Sequence, residues 1–251
     1  MKRLFLILCL LLWSSQAWGA IAIDAVSTGS GNQSGAGYSF THVTGSDPNM
    51  LLTCAAASGN SSSENFTITY NGTTLTKGRD IDFGDNAQLE QHYLSTNMGL
   101  SSGSHSVVVT GSQTGSGVIC VTFSGVDQAV LYDTYGDAHQ GGTTSSITET
   151  GIELTGDGNW GVSWFAGTQA SNPLNNLAPA DGATNVAGTP ITDSGSSLSI
   201  GFSVVTGTKS SMSWTFDSGF TFAHLSTAEL VAATGGGGSN AAGAVSRRRT
   251  Q

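Results

Sequence analysis

Short apolar or alternating runs, separated by Gly, Ser and Asn, follow one another along the whole chain, and no window carries the 3.6-residue period of a helix. The most apolar run lies in GVICVTFSGVDQ (Gly117–Gln128), a β-branched and aromatic stretch with Cys120 at its centre. Its length and flanking glycines predict a central strand buried on both faces. Further strands are predicted at Ala20–Ser27, Tyr38–Val43 and Met50–Ser58, the last with Leu52, Cys54 and Ala56 on one face. Phe66–Tyr70 and Thr73–Lys77 flank Asn71-Gly72, which predicts a hairpin with a tight turn. Gln88–Leu94, Ser106–Thr110, Val130–Tyr135, Ser146–Thr150, Asn159–Ala166, Ser197–Thr206, Ser211–Phe216 and Phe220–Val231 complete the set. Arg79–Asn86 reads as a polar loop and Leu174–Thr192 as a long irregular connection. Many strands with hairpin connections and no alternation with helices predict an all-β fold, a two-sheet antiparallel β-sandwich of jelly-roll type. No repeat of solenoid or propeller period is visible, and residues 20–233 are expected to form a single domain.

The two ends differ from this body. Lys2-Arg3, the apolar run Leu4–Trp13 and the small-residue site before Ala20 predict a secretory signal peptide over residues 1–19, too short in its apolar core to span a bilayer. The mature protein is expected to be secreted, extracellular or periplasmic, with no membrane span. Residues 234–251 read as a flexible Gly-rich tail ending in the triple arginine Arg247–Arg249.

Composition sharpens the picture. The chain has 35 Gly among 251 residues but only 10% charged residues and 38% hydrophobic ones, so a core can form and disorder is a poor reading of the glycines. The net charge is −9, and loss of Lys2 and Arg3 with the leader lowers it further. Within the folded body only Lys77, Arg79 and Lys209 are basic, a balance that repels phosphate backbones and argues against nucleic-acid binding. With Cys9 removed in the leader, Cys54 and Cys120 remain, each inside a predicted strand. An even number in an oxidising compartment favours a disulfide over the alternative, two buried free thiols.

The segments ITYNGTTLT (Ile68–Thr76), QLEQHYL (Gln88–Leu94), SHSVVVTGS (Ser104–Ser112), GVICVTFSGVDQ and SMSWTFDS (Ser211–Ser218) together resemble a β-sandwich domain common in secreted bacterial and environmental sequences, itself similar to concanavalin-like or LamG-like jelly rolls. The resemblance covers most of residues 21–233. It implies a setting of carbohydrate-binding, adhesive or phage-structural proteins and supplies no catalytic residues.

Motifs with chemical meaning are sparse. Gly99-Leu100-Ser101-Ser102-Gly103 matches G-x-S-x-G, but it lies in a Ser/Gly-rich loop between strands, whereas a nucleophile elbow needs a strand-to-helix turn. Gly156–Gly161 matches G-x-G-x-x-G, yet a strand follows where a helix should begin, so it reads as a hairpin turn. A retaining glycosidase needs two carboxylates about 5 Å apart; Glu90 stands alone on its strand, and Glu149 and Glu153 fit a solvated face as well as a site. The five histidines show no zinc-binding spacing. Asp80, Asp82 and Asp85 are the candidate metal ligands, with calcium the metal suited to hard oxygens on a loop, against a solvated acidic loop as the alternative. Trp160 and Trp164 fall on one face of a strand about 13 Å apart; exposed, they would stack on sugar rings, and buried, they would be core. The sequence thus favours a secreted, non-catalytic binding or adhesion module with a polysaccharide ligand. The alternatives are a self-assembling component of a virion, appendage or surface layer and, behind it, a glycan-active enzyme.

Overall fold

A computed structural model describes residues 20–31, 37–58, 65–82, 88–111, 116–142, 145–155, 158–169, 176–180, 182–193, 196–216 and 222–233. Its regular elements are β-strands and one 3₁₀ turn at Thr96–Met98, and every strand pairing is antiparallel. The expected central strand is β9 (Ser116–Ser124), buried along its length except at Ser124. It lies between β1 (Ala22–Gly31) and β3 (Leu51–Ser58), and β7 (Gln88–Ser95) and β6 (Thr76–Asp82) complete the first inner sheet in the order β1-β9-β3-β7-β6. Over it lies a first outer sheet, β2 (Tyr38–Thr44), β8 (Gly103–Thr110), β4 (Thr67–Tyr70) and β5 (Thr73–Thr74), in the order β2-β8-β4-β5. The β4–β5 hairpin turns on Asn71 (φ 48) and Gly72 (φ 76), the pair of positive φ values that an Asn-Gly turn supplies at low cost.

The rest of the chain builds a second inner sheet from β10 (Tyr132–Gly141), β17 (Phe222–Leu230), β12 (Trp160–Gln169), β15 (Ser196–Thr206) and β14 (Thr184–Asp193), in that order. A second outer sheet holds β11 (Ser146–Glu149), β16 (Met212–Thr215) and β13 (Ala178–Pro179). The molecule is therefore an all-β antiparallel sandwich, as expected, but of four sheets rather than two. Leu52, Ala56 and Val118 face Ile68, Val107 and Val109 between the first outer and inner sheets. The opposite side of the same strands, with Leu51, Ile119, Val121 and Phe123, packs on Val162, Trp164, Leu198, Phe202 and Leu230 of the second inner sheet. Phe165 and Leu225 then turn outward onto Ile147, Trp214 and Phe216. Burial on both faces explains why β3 and β9 read as continuous apolar runs instead of alternating ones.

The two halves have the same topology. Taking β1–β9 and β10–β17 in order, β1, β9, β3, β7 and β6 correspond to β10, β17, β12, β15 and β14, while β2, β8 and β4 correspond to β11, β16 and β13; only β5 has no counterpart among the described residues. The inner sheets face each other in opposite lateral order. β1 meets β14, β9 meets β15 and β7 meets β12, and Arg79 of β6 reaches across to an ion pair with Asp137 of β10. That order is what a pseudo-twofold axis running along the strands produces, and it places equivalent loops at the same end of the molecule. The axis is marked there by an antiparallel bridge between Val126 and Ala232, the residues following β9 and β17. The Val126 N–H donates to the Asn49 carbonyl and the Ala232 N–H to Asn159 Oδ1, and these asparagines precede β3 and β12.

Cys54 and Cys120 are direct partners across β3 and β9, with Cα atoms 4.1 Å apart and the disulfide formed. Counting from the first pairs of the two ladders, Leu51↔Phe123 and Trp160↔Leu230, the same place in the second half is Ser163↔Thr227. There, Ser163 Oγ is hydrogen-bonded to Ser203 Oγ at 2.7 Å and accepts the Trp214 indole N–H at 2.8 Å.

Candidate functional site

The residues singled out in the sequence do not form one site. Trp164 is fully buried against Phe202 and Tyr132, and Trp160 packs edge-on to Phe123, both in the core between the halves. The two share a face, as expected, and that face points inward: Trp164 is closed off from any ligand, and Trp160 is half-buried against the core. Asp80 sits on β6, an edge strand instead of a loop, and spends its carboxylate on Lys77 Nζ (3.0 Å) and Gln88 Nε2 (2.6 Å). The Asp82 backbone pairs with Gln88, while Asp85 lies outside the described residues. Among the described residues no three His, Cys, Asp or Glu side chains gather as a metal site.

The carboxylates are likewise dispersed. Glu149 is buried in the second half, accepting from the N–H groups of Gly151 and Ile152 and from Thr227 Oγ1. Glu153 is exposed in the loop beyond it. Glu229, fully buried, accepts from the Thr155 N–H and hydroxyl and from Asn159 Nδ2. None of these faces Glu90, which lies in the other half. Glu90 is fully buried; its Oε1 meets Lys77 Nζ at 2.8 Å and Gln88 Nε2 at 3.1 Å, and its Oε2 meets His92 Nε2 at 2.8 Å and the Phe66 N–H at 3.3 Å. Lys77 also reaches Asn65 Oδ1 at 2.8 Å. Burial is the largest single influence on Lys77 and pulls its pKa down, but the hydrogen bonds and charges of Glu90 and Asp80 together outweigh it and hold the ammonium above its ordinary value.

A second polar bridge crosses the first half at β1 and β2. His42 is buried, with Nδ1 2.7 Å from Ser27 Oγ and Nε2 2.6 Å from Thr122 Oγ1. Burial lowers its pKa to about 4 against the opposing charge of Asp24. A serine beside a histidine suggests a nucleophile and base, but this imidazole is a weak base with both nitrogens engaged, and its role is to tie the inner and outer sheets together.

Two openings among the described residues lie at loops. One cleft, about 150 Å³, is walled by Ser46, Asp47, Ser101 and Ser102 and floored by Met50 and Leu100. It uses the β2–β3 and β7–β8 connections, which the Thr44 hydroxyl joins by donating to the Ser101 carbonyl at 2.7 Å. The expected loop character of Gly99–Gly103 holds, with φ 96 at Gly99 and 112 at Gly103. A second cleft, about 400 Å³, is formed by Glu153, Leu154 and Thr155 with Thr208, Lys209 and Ser210. These are the β11–β12 and β15–β16 connections, joined by the Leu154 N–H donating to the Lys209 carbonyl at 2.8 Å. They are the same two connections in the repeated topology, so both clefts open at the end marked by the Val126–Ala232 bridge. The sequence marks Gly99–Gly103 as a loop but not the clefts themselves, because polar loops of Ser, Thr and Asp carry no periodicity. Only the correspondence between the halves pairs them. A comparison with protein-family models and with curated proteins finds no match for this chain.

Proposed function

We propose that this protein is a secreted, non-catalytic binding module that engages polysaccharide through the loop end shared by its two halves. The observation that carries the reading is the pair of topologically equivalent clefts at one end of the molecule, each combining an apolar floor with hydroxyls and one carboxylate, Asp47 in the first and Glu153 in the second. Hydroxyl-rich ligands are held by such mixed surfaces, and two sites on one face suit a repeating polymer. The buried carboxylates of the second half support the absence of turnover on an external substrate, since Glu149 and the Oε1 of Glu229 are committed to partners inside the fold. The leader-like Leu4–Trp13 run supports secretion, and the Cys54–Cys120 bond is compatible with it. We read each half as a jelly roll, the support being that β1-β9-β3-β7 lies over β2-β8-β4-β5.

The test is a polysaccharide array probed with the mature protein, the Asp47→Ala and Glu153→Ala variants, and the double variant. Retention on a subset of polymers, reduced in each single variant and abolished in the double, is the expected result. Retention of none by a folded sample would sink the reading. A second reading, a self-assembling structural component, draws on Val26 and Val43, exposed valines on the neighbouring edge strands β1 and β2. Edge strands of this kind template pairing with another chain, and sedimentation of wild type against a Val26→Lys/Val43→Lys variant distinguishes it.

A further inference from the structure

The Lys77–Glu90–Asn65 corner is not demanded by the fold. In the ladders, Glu90 lies opposite Ala56, His92 opposite Cys54 and Lys77 opposite His92. The matching positions of the second half, read from the same starting pairs, are Gly201 opposite Phe165, Ser203 opposite Ser163 and Asn185 opposite Ser203. Trp214 lies so close over Gly201 that a Cβ there would meet its ring at 2.6 Å. One half thus fills this place with an indole, while the other keeps a fully buried carboxylate, an imidazole and an amine. A buried ion pair is a weak source of stability compared with apolar packing, so these three groups call for a chemical explanation.

We propose that Lys77 and Asn65 become joined by an intramolecular amide bond, formed by the folded chain itself with Glu90 as the proton carrier. Lys77 Nζ lies 2.8 Å from Asn65 Oδ1 and 2.8 Å from Glu90 Oε1, so nucleophile, carbonyl and base are already assembled. Such pre-assembly replaces a bimolecular encounter by a unimolecular step. Glu90 takes a proton from the Lys77 ammonium, and the neutral amine attacks Asn65 Cγ. Glu90 returns the proton to Asn65 Nδ2 as the Cγ–Nδ2 bond breaks. Ammonia leaves and carries away the second proton lost by the lysine nitrogen as ammonium, and no oxidant or other co-reactant is consumed. The other contacts of Glu90, from His92, Gln88 and the Phe66 N–H, fix the carboxylate for both transfers. Asn65 is exposed, which gives ammonia a path to water. Asn65 leads into β4 of the outer sheet and Lys77 stands on β6 of the inner one, so the bond would tie two layers where the disulfide ties two strands of one layer.

The experiment is the intact mass of the folded full chain, denatured and reduced just before measurement, followed by tryptic mapping. The expected mass is lower than that of the processed sequence by one ammonia, with no cleavage after Lys77; Asn65 and Lys77 then lie in one tryptic peptide ending at Arg79, itself lighter by one ammonia and cross-linked internally between these two residues. Lys77→Arg, Asn65→Ala and Glu90→Gln should each restore the unmodified mass in samples whose β-sheet circular dichroism matches wild type. Wild-type protein with the full mass and tryptic cleavage at Lys77 overturns the proposal without recourse to any variant. Loss of one water instead overturns the Asn65 assignment, because it would mean that Lys77 had condensed with Asp80, whose carboxylate lies 3.0 Å away.

Discussion

Replacing Cys54 and Cys120 together by alanine isolates what the disulfide contributes. The two sulfurs join positions separated by 66 residues, and cross-linking a loop of that size removes unfolded-chain entropy equivalent to about 4 kcal/mol at room temperature. Both residues are fully buried among Leu52, Ala56, Val118 and Val109, so the missing sulfurs leave a small gap that adds to the loss. A chain of this size has a urea slope near the top of the usual range, about 3 kcal/mol per molar, so the midpoint should fall by roughly 1.5 M. Urea unfolding followed by tryptophan fluorescence is the assay, because Trp160 and Trp164 report on the core between the halves and Trp214 on the second outer layer. Thiol titration of unreduced wild type in denaturant should find neither cysteine free. Two reactive thiols, or a midpoint shift below about 0.3 M for a cross-link of this loop length, would refute the reasoning.

Three further outcomes follow from the packing and the titrating groups. Trp164→Ala empties the middle of the core between the halves and should cost about 3–5 kcal/mol, measured by the same urea unfolding. His42 is held neutral, with its folded pKa lowered to about 4; the unfolded chain therefore binds the extra proton first, and stability is complete above pH ~6.5 and falls as pH drops toward 4, by roughly 3 kcal/mol in all. A His42→Gln variant should lose that slope in a series of melts across the window. Gly72→Ala forces an L-residue to φ 76 in the β4–β5 turn and should destabilise by about 1 kcal/mol, whereas Asn71→Gly at φ 48 should be nearly neutral.

What the sequence revealed depended on how each strand is buried. β9 was legible because burial on both faces demands an unbroken apolar run, and the β4–β5 hairpin because Asn-Gly is chosen by its φ values. Edge strands are weakly marked in the sequence. The sequence pattern predicts an irregular connection where β14, Thr184–Asp193, forms and an acidic loop where β6 ends, since an edge exposes one side of its ladder and tolerates Gly, Pro, Thr and Asp. β1 extends past its expected end to Gly31 through Gly29, where Phe40 packs so closely that any Cβ would collide with its ring. Trp160 and Trp164 show the limit from the other side. Period 2 places both on one face, but whether that face meets water depends on a sheet made from residues far along the chain.

The repeated topology leaves no sequence signature for a related reason, and it also separates two kinds of residue. Equivalent positions preserve burial and strand register while exchanging chemistry: Cys54 and Cys120 become Ser163 and Thr227, and Glu90 becomes Gly201. Each half therefore serves as a control for the other. Where both halves meet a requirement, as when the chain just beyond β9 and β17 is received by the segments leading into β3 and β12, through the Asn49 carbonyl and the Asn159 side chain, the contact answers to the topology. Where only one half carries a reactive group, the topology has been satisfied without it, and the group must be explained by what it does. By that criterion the disulfide and the Lys77–Glu90–Asn65 corner belong together: both lie in the first half, and each would give it a covalent tie where the second half has hydroxyls and an indole. A module anchored to a polymer at its loop end and loaded through the rest of the chain would gain from ties of this kind, because covalent links hold under force where strand pairing alone can separate.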